Sequence, residues 1–271
     1  MPNTTLDTSP AVLIERFADH ACLTLNRPSS YNALSEEMIG ALQAALDSLA
    51  QDPSLRCLLI NAAGKAFCAG HNLKQMRANP EQAYYEKLFQ QCSDLMLSIM
   101  RFPVPVIAQV HGMATAAGCQ LVASCDLAIA SEQASFAVSG IKVGLFCSTP
   151  AVALSRNIGL KAAMHMLMTG DFISASQALE HGLINICTPA EELHAATEKL
   201  INSICAQSPS AVRTGKAMFY EQARLPVEQA YRYASHVMAC NMMQPDAAEG
   251  IDAFIEKRAA VWSASPRLQH P

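Results

Sequence analysis

Short apolar segments alternate with longer amphipathic ones from the N-terminus to about residue 190, and this alternation restricts the fold most. Four segments have the length and flanking turn residues of buried strands: residues 21–25, 57–61, 106–110 and 127–130. Between them lie segments with helical spacing of apolar residues, one beginning at the capping residue Ser35 and another ending before Pro103. Strands separated by helices usually pair in parallel. The sequence therefore predicts the α/β class.

The pattern changes near residue 190, after a last predicted strand at residues 182–187. From Glu191 to Trp262 the spacing of apolar residues is almost entirely helical. With 271 residues, of which 51% are hydrophobic, the chain can bury a large core. We predict a core over residues 1–190 and a helical C-terminal region over residues 191–271.

Charge and hydropathy exclude some partners. A formal net charge of -4 at pH 7 supplies no general positive field for nucleic acid or anionic lipid. The most apolar long segment, residues 104–130, is interrupted by Pro105, Gly112 and Asp126, so no membrane span is predicted. His165 and His181 lack the spacing of metal ligands, and no metal is expected.

The cysteines and the N-terminus bear on cellular location. The ten cysteines lie mostly in apolar segments and form no CxxC pair, which favours buried reduced thiols over disulfides. The N-terminal sequence MPNTTLDTSP lacks the basic start and apolar segment of a secretory signal, and it is not rich in arginine like a transit peptide. We therefore expect a cytoplasmic protein.

Two glycine-containing loops follow predicted buried strands, at residues 62–72 and 111–118. The second leads into Ala116, Ala117 and Gly118 at a predicted helix start, where backbone N–H groups lack partners and the helix dipole favours negative charge. Small residues there also permit tight helix packing, which is the alternative to anion binding. The presence of the other glycine-containing loop favours anion binding, because both turns are expected at the carboxyl edge of one sheet.

Six segments occur together in an order that is characteristic of one family. They are LNRPSSYNALS, GKAFCAGHNLKQM, PVPVIAQVHGMATAAGCQLVASCDLAIAS, FAVSGIKVGL, LMTGDFISASQALEHGLINIC and EGIDAFIEKRAAVW. Together they resemble the crotonase superfamily, also called the enoyl-CoA hydratase/isomerase family, over nearly the whole chain. Within it, the motifs GHNLK, CQLVASCD and GLFCSTP are most similar to a branch in which the usual hydratase glutamates are also not evident.

The resemblance implies a spiral of ββα repeats with a helical C-terminal subdomain, which assembles trimers or dimers of trimers. It also implies a thioester of coenzyme A as substrate or ligand, and no bound prosthetic group. By the family pattern, the backbone N–H groups of His71 and Ala117 would hold the thioester oxygen as an oxyanion hole, which stabilises developing negative charge.

The same resemblance marks the two positions where hydratases of the family carry glutamates. In this sequence they are Gln120 and Gly140. An amide does not titrate usefully and glycine has no side chain, so the usual acid and base are missing. Four residues surround the second position: Ser139, Cys147, Ser148 and Thr149. Packing and hydrogen bonding within a loop is their ordinary role. The side chain of His71 has a near-neutral intrinsic pKa, but the resemblance gives His71 its role through the backbone N–H rather than through the side chain.

The coenzyme requires cations for its phosphates and an aromatic surface for its adenine. The family pattern assigns the following residues to it: Arg27, Ser29, Lys65, Ala69, His71, Asn72, Leu73, Lys74, Phe254 and Lys257. The family often has Lys or Arg after NRP, where this chain has Ser29 and Ser30, so part of the phosphate site is expected to be weaker or relocated. Solvation at the surface is the alternative for each lysine.

Three functions stay open for an acyl-CoA protein with this pattern. The first is enoyl-CoA hydratase or isomerase activity in fatty acid or acyl-CoA metabolism, by a mechanism without the two glutamates. The second is decarboxylation, because loss of CO2 forms the enolate directly and needs no base. The third is noncatalytic binding of acyl-CoA.

Overall fold

The computed structural model describes residues 9–263. Most of the N-terminal sequence that bears on a signal or transit peptide lies outside this range, as do residues 264–271 of the predicted C-terminal region. Ten strands are present: β1 Val12–Arg16, β2 His20–Leu25, β3 Cys57–Ala62, β4 Ala66–Cys68, β5 Val106–Val110, β6 Met113–Thr115, β7 Leu127–Ser131, β8 Ser135–Ala137, β9 Ile173–Ser174 and β10 Ile186–Thr188.

Eleven α-helices lie within the described residues. They are α1 Glu36–Leu49, α2 Leu73–Ala78, α3 Gln82–Met100, α4 Ala117–Ser124, α5 Ser148–Asn157, α6 Leu160–Thr169, α7 Ala175–His181, α8 Leu193–Cys205, α9 Pro209–Gln222, α10 Val227–Met242 and α11 Pro245–Glu256. The predicted N-terminal cap of α1 is confirmed, since the Ser35 side chain accepts a hydrogen bond from the Met38 N–H at 3.2 Å.

The strands form two sheets, and the chain passes repeatedly from the larger sheet to the smaller one. The larger has the order β1-β2-β3-β5-β7-β10 and the smaller β4-β6-β8-β9. In the larger sheet only the β1–β2 pair is antiparallel, and in the smaller only β8–β9. The pairs β3/β4, β5/β6 and β7/β8 each place one strand in the larger sheet and the next in the smaller, and a helix follows. These successive units form the predicted spiral of ββα repeats, so the α/β fold is confirmed.

Apolar side chains cover both faces of the larger sheet. On one face, Leu58 and Ile60 of β3 belong to the main core with Leu42 of α1 and Leu95 of α3. On the other face, Cys57 and Leu59 of the same strand pack in a second cluster. Its other buried members are Cys22, Ile107, Ile129, Leu193 and Ile201. Because neighbouring residues of a strand point to opposite faces, a continuous apolar strand is buried on both sides.

The helices that follow β10 attach to the core in two ways. Helix α8 covers the second face of the larger sheet, whereas α9 is tied to the core by a buried ion pair. The Lys216 ammonium donates to the Asp126 carboxylate at 2.6 Å and to the carbonyls of Ile99 and Val104 at 3.1 and 3.0 Å. The boundary near residue 190 stays a prediction. Of the helices after this boundary, α8 packs most closely against the core.

Three further features concern the described residues only. None of their helices combines the length and apolar character needed to cross a membrane. No three His, Cys, Asp or Glu side chains within residues 9–263 form a group able to hold a metal ion. All ten cysteines are free thiols, and seven of them are buried.

Candidate functional site

A cavity of about 230 Å³ lies where three connections of the spiral meet. The first connection follows β4 and includes His71, the second follows β6 and leads to Ala117, and the third follows β8 and reaches the start of α5. Apolar side chains of α2 and α3 contribute to the wall: Leu73, Met76 and Phe89. Residues of both glycine-containing loops noted in the sequence therefore line this cavity.

Gly70 allows the first connection to approach the second. Its φ is +83°, and a β-carbon built on it would lie 2.8 Å from the Ala116 β-carbon and 3.1 Å from the Ala117 nitrogen. The Leu34 N–H holds this connection by donating to the Gly70 carbonyl at 2.7 Å. Any side chain at position 70 would therefore push apart the loops that carry His71 and Ala117.

The second connection is held in an unusual conformation. Ala116 has φ 51° and ψ -120°, which L-residues rarely adopt and which costs on the order of 1–3 kcal/mol. Its N–H donates to the Ala137 carbonyl at 2.9 Å. Behind it, a β-carbon on Gly118 would lie 2.2 Å from the Cys68 carbonyl oxygen, so α4 begins directly against β4. Close packing on both sides fixes the start of α4.

Two backbone N–H groups at this cavity lack acceptors. Among the residues that the structure describes, none accepts a hydrogen bond from the N–H of His71 or Ala117. Ala117 is the first residue of α4, so its N–H is one of the unpaired donors of a helix start. Both residues line the cavity. The two unpaired donors therefore belong to different repeats whose residues line the same cavity.

The imidazole of His71 is buried and weakly partnered. Neither ring nitrogen makes a hydrogen bond of good geometry, the Leu34 backbone interacts with the ring, and the ring packs edge-on against Phe89 with the centroids 5.4 Å apart. Burial lowers the pKa of His71 from its usual 6.5, because water no longer stabilises the imidazolium. An unpaired buried polar group typically costs about 1–3 kcal/mol. The lowered pKa keeps this imidazole neutral at pH 7, and its residue lines the cavity.

Gln120 is the residue that the family pattern predicts at the first glutamate position. It lies one turn after Ala117 in α4, is only 4% exposed, and its Oε1 has no hydrogen-bond partner. Its side chain is not part of the cavity wall. The backbone around it is fixed by the Ser124 hydroxyl, which donates to the Gln120 carbonyl at 2.8 Å. Gln120 is therefore placed behind the cavity wall, with one amide oxygen unpaired.

The third connection fills the space beside Gly140, the predicted position of the second family glutamate. A β-carbon there would lie 2.5 Å from the Leu145 carbonyl oxygen and 2.7 Å from the Cys147 sulfur. Burial raises the pKa of Cys147, which keeps it a thiol. The Ser139 hydroxyl is paired with Thr115 at 2.9 Å. The four residues predicted around this position, Ser139, Cys147, Ser148 and Thr149, line the cavity.

Comparison with known sequences assigns the family. The sequence profile described as enoyl-CoA hydratase/isomerase matches residues 18–265. The chain belongs to the enoyl-CoA hydratase/isomerase family. This confirms the resemblance carried by the six motifs.

Individual relatives narrow the similarity within this family. "Enoyl-CoA hydratase domain-containing protein 3, mitochondrial" from Xenopus laevis is 45% identical over 260 residues, which cover 96% of this chain and 88% of that protein. The crystal structure of human enoyl Coenzyme A hydratase domain-containing protein 3 has 42% identity and a TM-score of 0.91, and covers 93% of this chain and 100% of that chain. The predicted similarity to one branch is confirmed, since GHNLK, CQLVASCD and GLFCSTP indicated the branch of that name.

A bacterial enoyl-CoA hydratase/isomerase family structure is similar as well. The crystal structure of enoyl-CoA hydratase from Mycobacterium smegmatis has 55% sequence identity and a TM-score of 0.93, and covers 94% of this chain and 99% of that chain. At this similarity the whole arrangement of sheets and helices is shared.

The expected cytoplasmic location is wrong. The Xenopus relative is named as a mitochondrial protein, as are the proteins of the same name from Mus musculus, Homo sapiens and Danio rerio. The expectation rested on the composition of a few N-terminal residues and on reduced cysteines. Neither observation reports directly on a compartment, and the names of several enoyl-CoA hydratase/isomerase family relatives outweigh them.

The residues assigned to coenzyme A from the family pattern fall into two groups. Ala69, His71 and Leu73 line the cavity. Asn72 is occupied as the N-terminal cap of α2, where its side chain accepts from the Gln75 N–H at 3.1 Å. Lys74, the second residue of α2, is exposed. These five residues are consecutive or nearly so and stay together at one side of the cavity.

The second group lies outside the cavity wall. Ser29 and Lys65 are exposed. Their loops adjoin each other, since a β-carbon on Gly64 would lie 2.5 Å from the β-carbon of Pro28. Arg27 is largely buried; its guanidinium pairs with Glu37 at 2.5 Å and donates to the Pro10 carbonyl at 3.1 Å. The structure thus commits Arg27 to neighbouring groups of its own chain.

The two C-terminal residues are not brought to the cavity by this chain. Phe254 is 86% exposed, and Lys257 ends α11 with φ 56°. Helix α11 packs against α9 and α10. Several apolar residues of the wall were not predicted from the sequence: Met76, Phe89, Val143, Leu145 and Phe146. Met76 lies on α2, Phe89 on α3 and the other three on the connection between β8 and α5, and only the folded chain brings these elements together.

Proposed function

We propose that this protein binds acyl thioesters of coenzyme A in the cavity and stabilises negative charge on the thioester oxygen. The N–H groups of His71 and Ala117 act as the oxyanion hole. One observation carries the proposal: two N–H groups without acceptors belong to residues that line one cavity, where Gly70 allows their loops to approach closely. Donors held in place before the ligand arrives stabilise a developing oxyanion strongly, by about 3–4 kcal/mol each in related sites.

The cavity wall favours a neutral acyl chain. The side chains that surround it are mainly apolar, with Phe89 and Phe146 as the largest. Among the described residues that line it there is no Lys, Arg, Asp or Glu. A carboxylate on the acyl chain would lose its hydration without gaining a cation, which is unfavourable. This supports enoyl and hydroxyacyl thioesters over malonyl-type ones, and so disfavours decarboxylation.

Hydratase activity in this protein requires a mechanism without the usual glutamates. Family membership supports a place in acyl-CoA metabolism, with no prosthetic group. Gln120 and Gly140 supply no acid or base, and the Leu145 carbonyl and the Cys147 sulfur occupy the space beside Gly140. Noncatalytic binding of acyl-CoA through the same two N–H groups is the alternative that lacks a proton-transfer step.

The coenzyme portion is proposed to lie across the exposed residues beside the cavity. Lys65 and Ser29 on adjoining loops, with Lys74 on α2, offer positive charge and a hydroxyl for phosphates. Phe254 and Lys257 would reach a coenzyme only as residues of another copy of the chain.

Self-association as a trimer or dimer of trimers is the further part of the proposal. Large apolar side chains are exposed on the C-terminal helices: Val227, Tyr231, Met238, Met242, Phe254 and Ile255. Such surfaces commonly mark protein interfaces. Light scattering of the purified chain tests this part, and a monomer at micromolar concentration would contradict it.

The oxyanion hole is tested with a pair of ligands that differ in one oxygen. Butyryl-CoA carries the thioester carbonyl, whereas S-butyl-CoA, a thioether, lacks it. We expect calorimetry to show butyryl-CoA bound at least tenfold more tightly, and the infrared stretch of its 13C-labelled carbonyl to move to lower frequency on binding. Equal affinities with an unmoved stretch would refute the role of the two N–H groups.

A further inference from the structure

One residue of the cavity wall carries two of the five buried side-chain atoms that lack a hydrogen-bond partner among the described residues. Within residues 9–263, buried side-chain nitrogen or oxygen atoms without a hydrogen-bond partner occur in Asn61, His71, Gln120 and Arg213. His71 contributes two of them, and it is the one residue of this set in the cavity wall. Buried polar groups in folded proteins are normally paired, so an unpaired one at a cavity indicates a group that a ligand or water completes.

The other polar groups of the wall are weaker candidates for proton transfer. Ser139 is paired with Thr115, and the Ser148 hydroxyl donates to the Phe146 carbonyl at 3.4 Å. Burial keeps Cys147 protonated. On α3, which carries Phe89, the Tyr85 hydroxyl is bound to the Met76 carbonyl at 3.1 Å. His71 is therefore the titratable group of the described wall that makes no hydrogen bond of good geometry and is able to accept a proton near pH 7.

The position of His71 restricts what its ring can reach. In the proposed function its backbone N–H binds the thioester oxygen, so the side chain of the same residue begins close to that oxygen. Its ring packs against Phe89, which also lines the cavity. An imidazole beside the thioester oxygen can act on the nearby second and third acyl carbons, and not on the far end of a long chain.

We propose that the His71 imidazole binds a hydroxyl group at the third carbon of the acyl chain, and that it moves the proton when water adds to the corresponding 2,3-enoyl thioester. This rests on the proposed function. The oxygen of water bonds to the third carbon while His71 takes one of its protons. The electrons of the double bond move to the thioester oxygen, held by the two N–H groups. The enolate then takes the proton from His71 at the second carbon, the carbonyl re-forms, and the imidazole is neutral again.

Binding tests this assignment independently of turnover. The ligands are 3-hydroxybutyryl-CoA and butyryl-CoA, measured by calorimetry. His71→Phe keeps an aromatic ring and the backbone N–H but removes both nitrogens, and His194→Gln, at an exposed histidine outside the cavity wall, is the control. We expect the wild-type protein and the control to bind the hydroxy thioester at least fivefold more tightly. In His71→Phe this preference disappears while the affinity for butyryl-CoA stays within twofold.

The outcomes separate the two proposals. If neither thioester binds to the wild-type protein, the proposed function fails and the inference fails with it. If both bind equally, or if the preference survives in His71→Phe, the role of His71 is refuted while acyl-CoA binding stands. His71→Gln, a second variant that keeps hydrogen bonding without basicity, guards against a folding defect in His71→Phe and should retain part of the preference.

Turnover tests the proton-transfer step. Loss of the conjugated-thioester absorbance of crotonyl-CoA is followed with micromolar protein between pH 5 and 8. We expect a rate that rises as the imidazole loses its proton and is level at neutral pH, and that falls at least a hundredfold in both His71→Phe and His71→Gln. A wild-type rate no greater than in buffer, or variants that retain it, would refute the catalytic part.

Discussion

The sulfur of Cys147 lies 2.7 Å from the point where a β-carbon on Gly140 would stand. The Leu145 carbonyl oxygen lies closer still to that point, at 2.5 Å. Position 140 is therefore closed to side chains by its own loop, and restoring a glutamate here requires residues 145–147 to move. A double change of Gln120→Glu and Gly140→Glu is not expected to restore a hydratase acid and base.

Gly140→Ala is expected to destabilise the fold by about 1–3 kcal/mol, because the added methyl group overlaps the Leu145 carbonyl. Gly40→Ala is the matched control. Gly40 lies inside α1 and has open space around it, so alanine there should stabilise by about 0.5–1 kcal/mol through helix propensity. Urea unfolding of both variants measures the difference, and a neutral Gly140→Ala would mean that the loop adapts freely.

Gly70→Ala is expected to weaken butyryl-CoA binding at least tenfold, because its methyl group separates the loops of His71 and Ala117. Gly182→Ala is the control. Gly70 and Gly182 have nearly the same φ, +83° and +82°, but a β-carbon on Gly182 meets only the Asn157 carbonyl oxygen, at 3.8 Å. Both substitutions introduce backbone strain, and only the first disturbs the site. Equal affinities in the two variants would contradict the proposed oxyanion hole.

Ala116→Gly is expected to stabilise the protein by about 1 kcal/mol, since relief of the strained φ exceeds the added entropy of the unfolded chain. For a chain of this size that corresponds to a melting temperature about 2–4 °C higher. Ala123→Gly, in the buried interior of α4, should lower it instead. Calorimetric melting distinguishes the two. A lower melting temperature for Ala116→Gly would show that its methyl contacts outweigh the strain.

The stability of the protein is expected to fall as the pH is lowered below 6.5. Burial lowers the pKa of His71 in the fold, so below pH 6.5 the unfolded chain binds a proton that the folded chain does not. Urea midpoints at pH 7.5 and pH 5.5 measure this loss, which His71→Phe should reduce. His194→Gln, at an exposed histidine, should not. An unchanged loss in His71→Phe would assign it to other groups.

Lys216→Met is expected to destabilise the protein by about 3–5 kcal/mol, because it leaves the Asp126 carboxylate buried without its cation. Exposed Lys161→Met should change the stability by less than about 0.5 kcal/mol. Thermal melting measures both. A small loss in Lys216→Met would mean that water reaches Asp126 when the ammonium is absent.

Local sequence patterns predicted the strands and helices whose apolar residues form a continuous buried face. The strand at Val106–Val110 and the capped helix Glu36–Leu49 were predictable because their apolar spacing is long enough to identify. Strands β4, β6 and β8 were missed, since each has only three residues and is defined by pairing with distant segments of the smaller sheet.

The site was predictable where backbone conformation depends on residue type. Gly70 and the small residues before α4 mark the two loops in the sequence itself. The pairing of Arg27 with Glu37 and the packing of Phe89 on His71 depend on distances between separate elements, which no local pattern contains. For the same reason, the family pattern indicated the absence of a glutamate at Gly140 but not that the space beside it is occupied.

The three connections at the cavity are equivalent segments of consecutive repeats, each running from a short strand of the smaller sheet to the next helix. The first two are short and closely packed, and they carry the two N–H donors. The third, from Ala137 to Ser148, is the longest. Substitutions and insertions in it can therefore reshape the acyl pocket without displacing the donors, so we expect relatives with different thioester preferences to differ mainly in this one turn of the spiral.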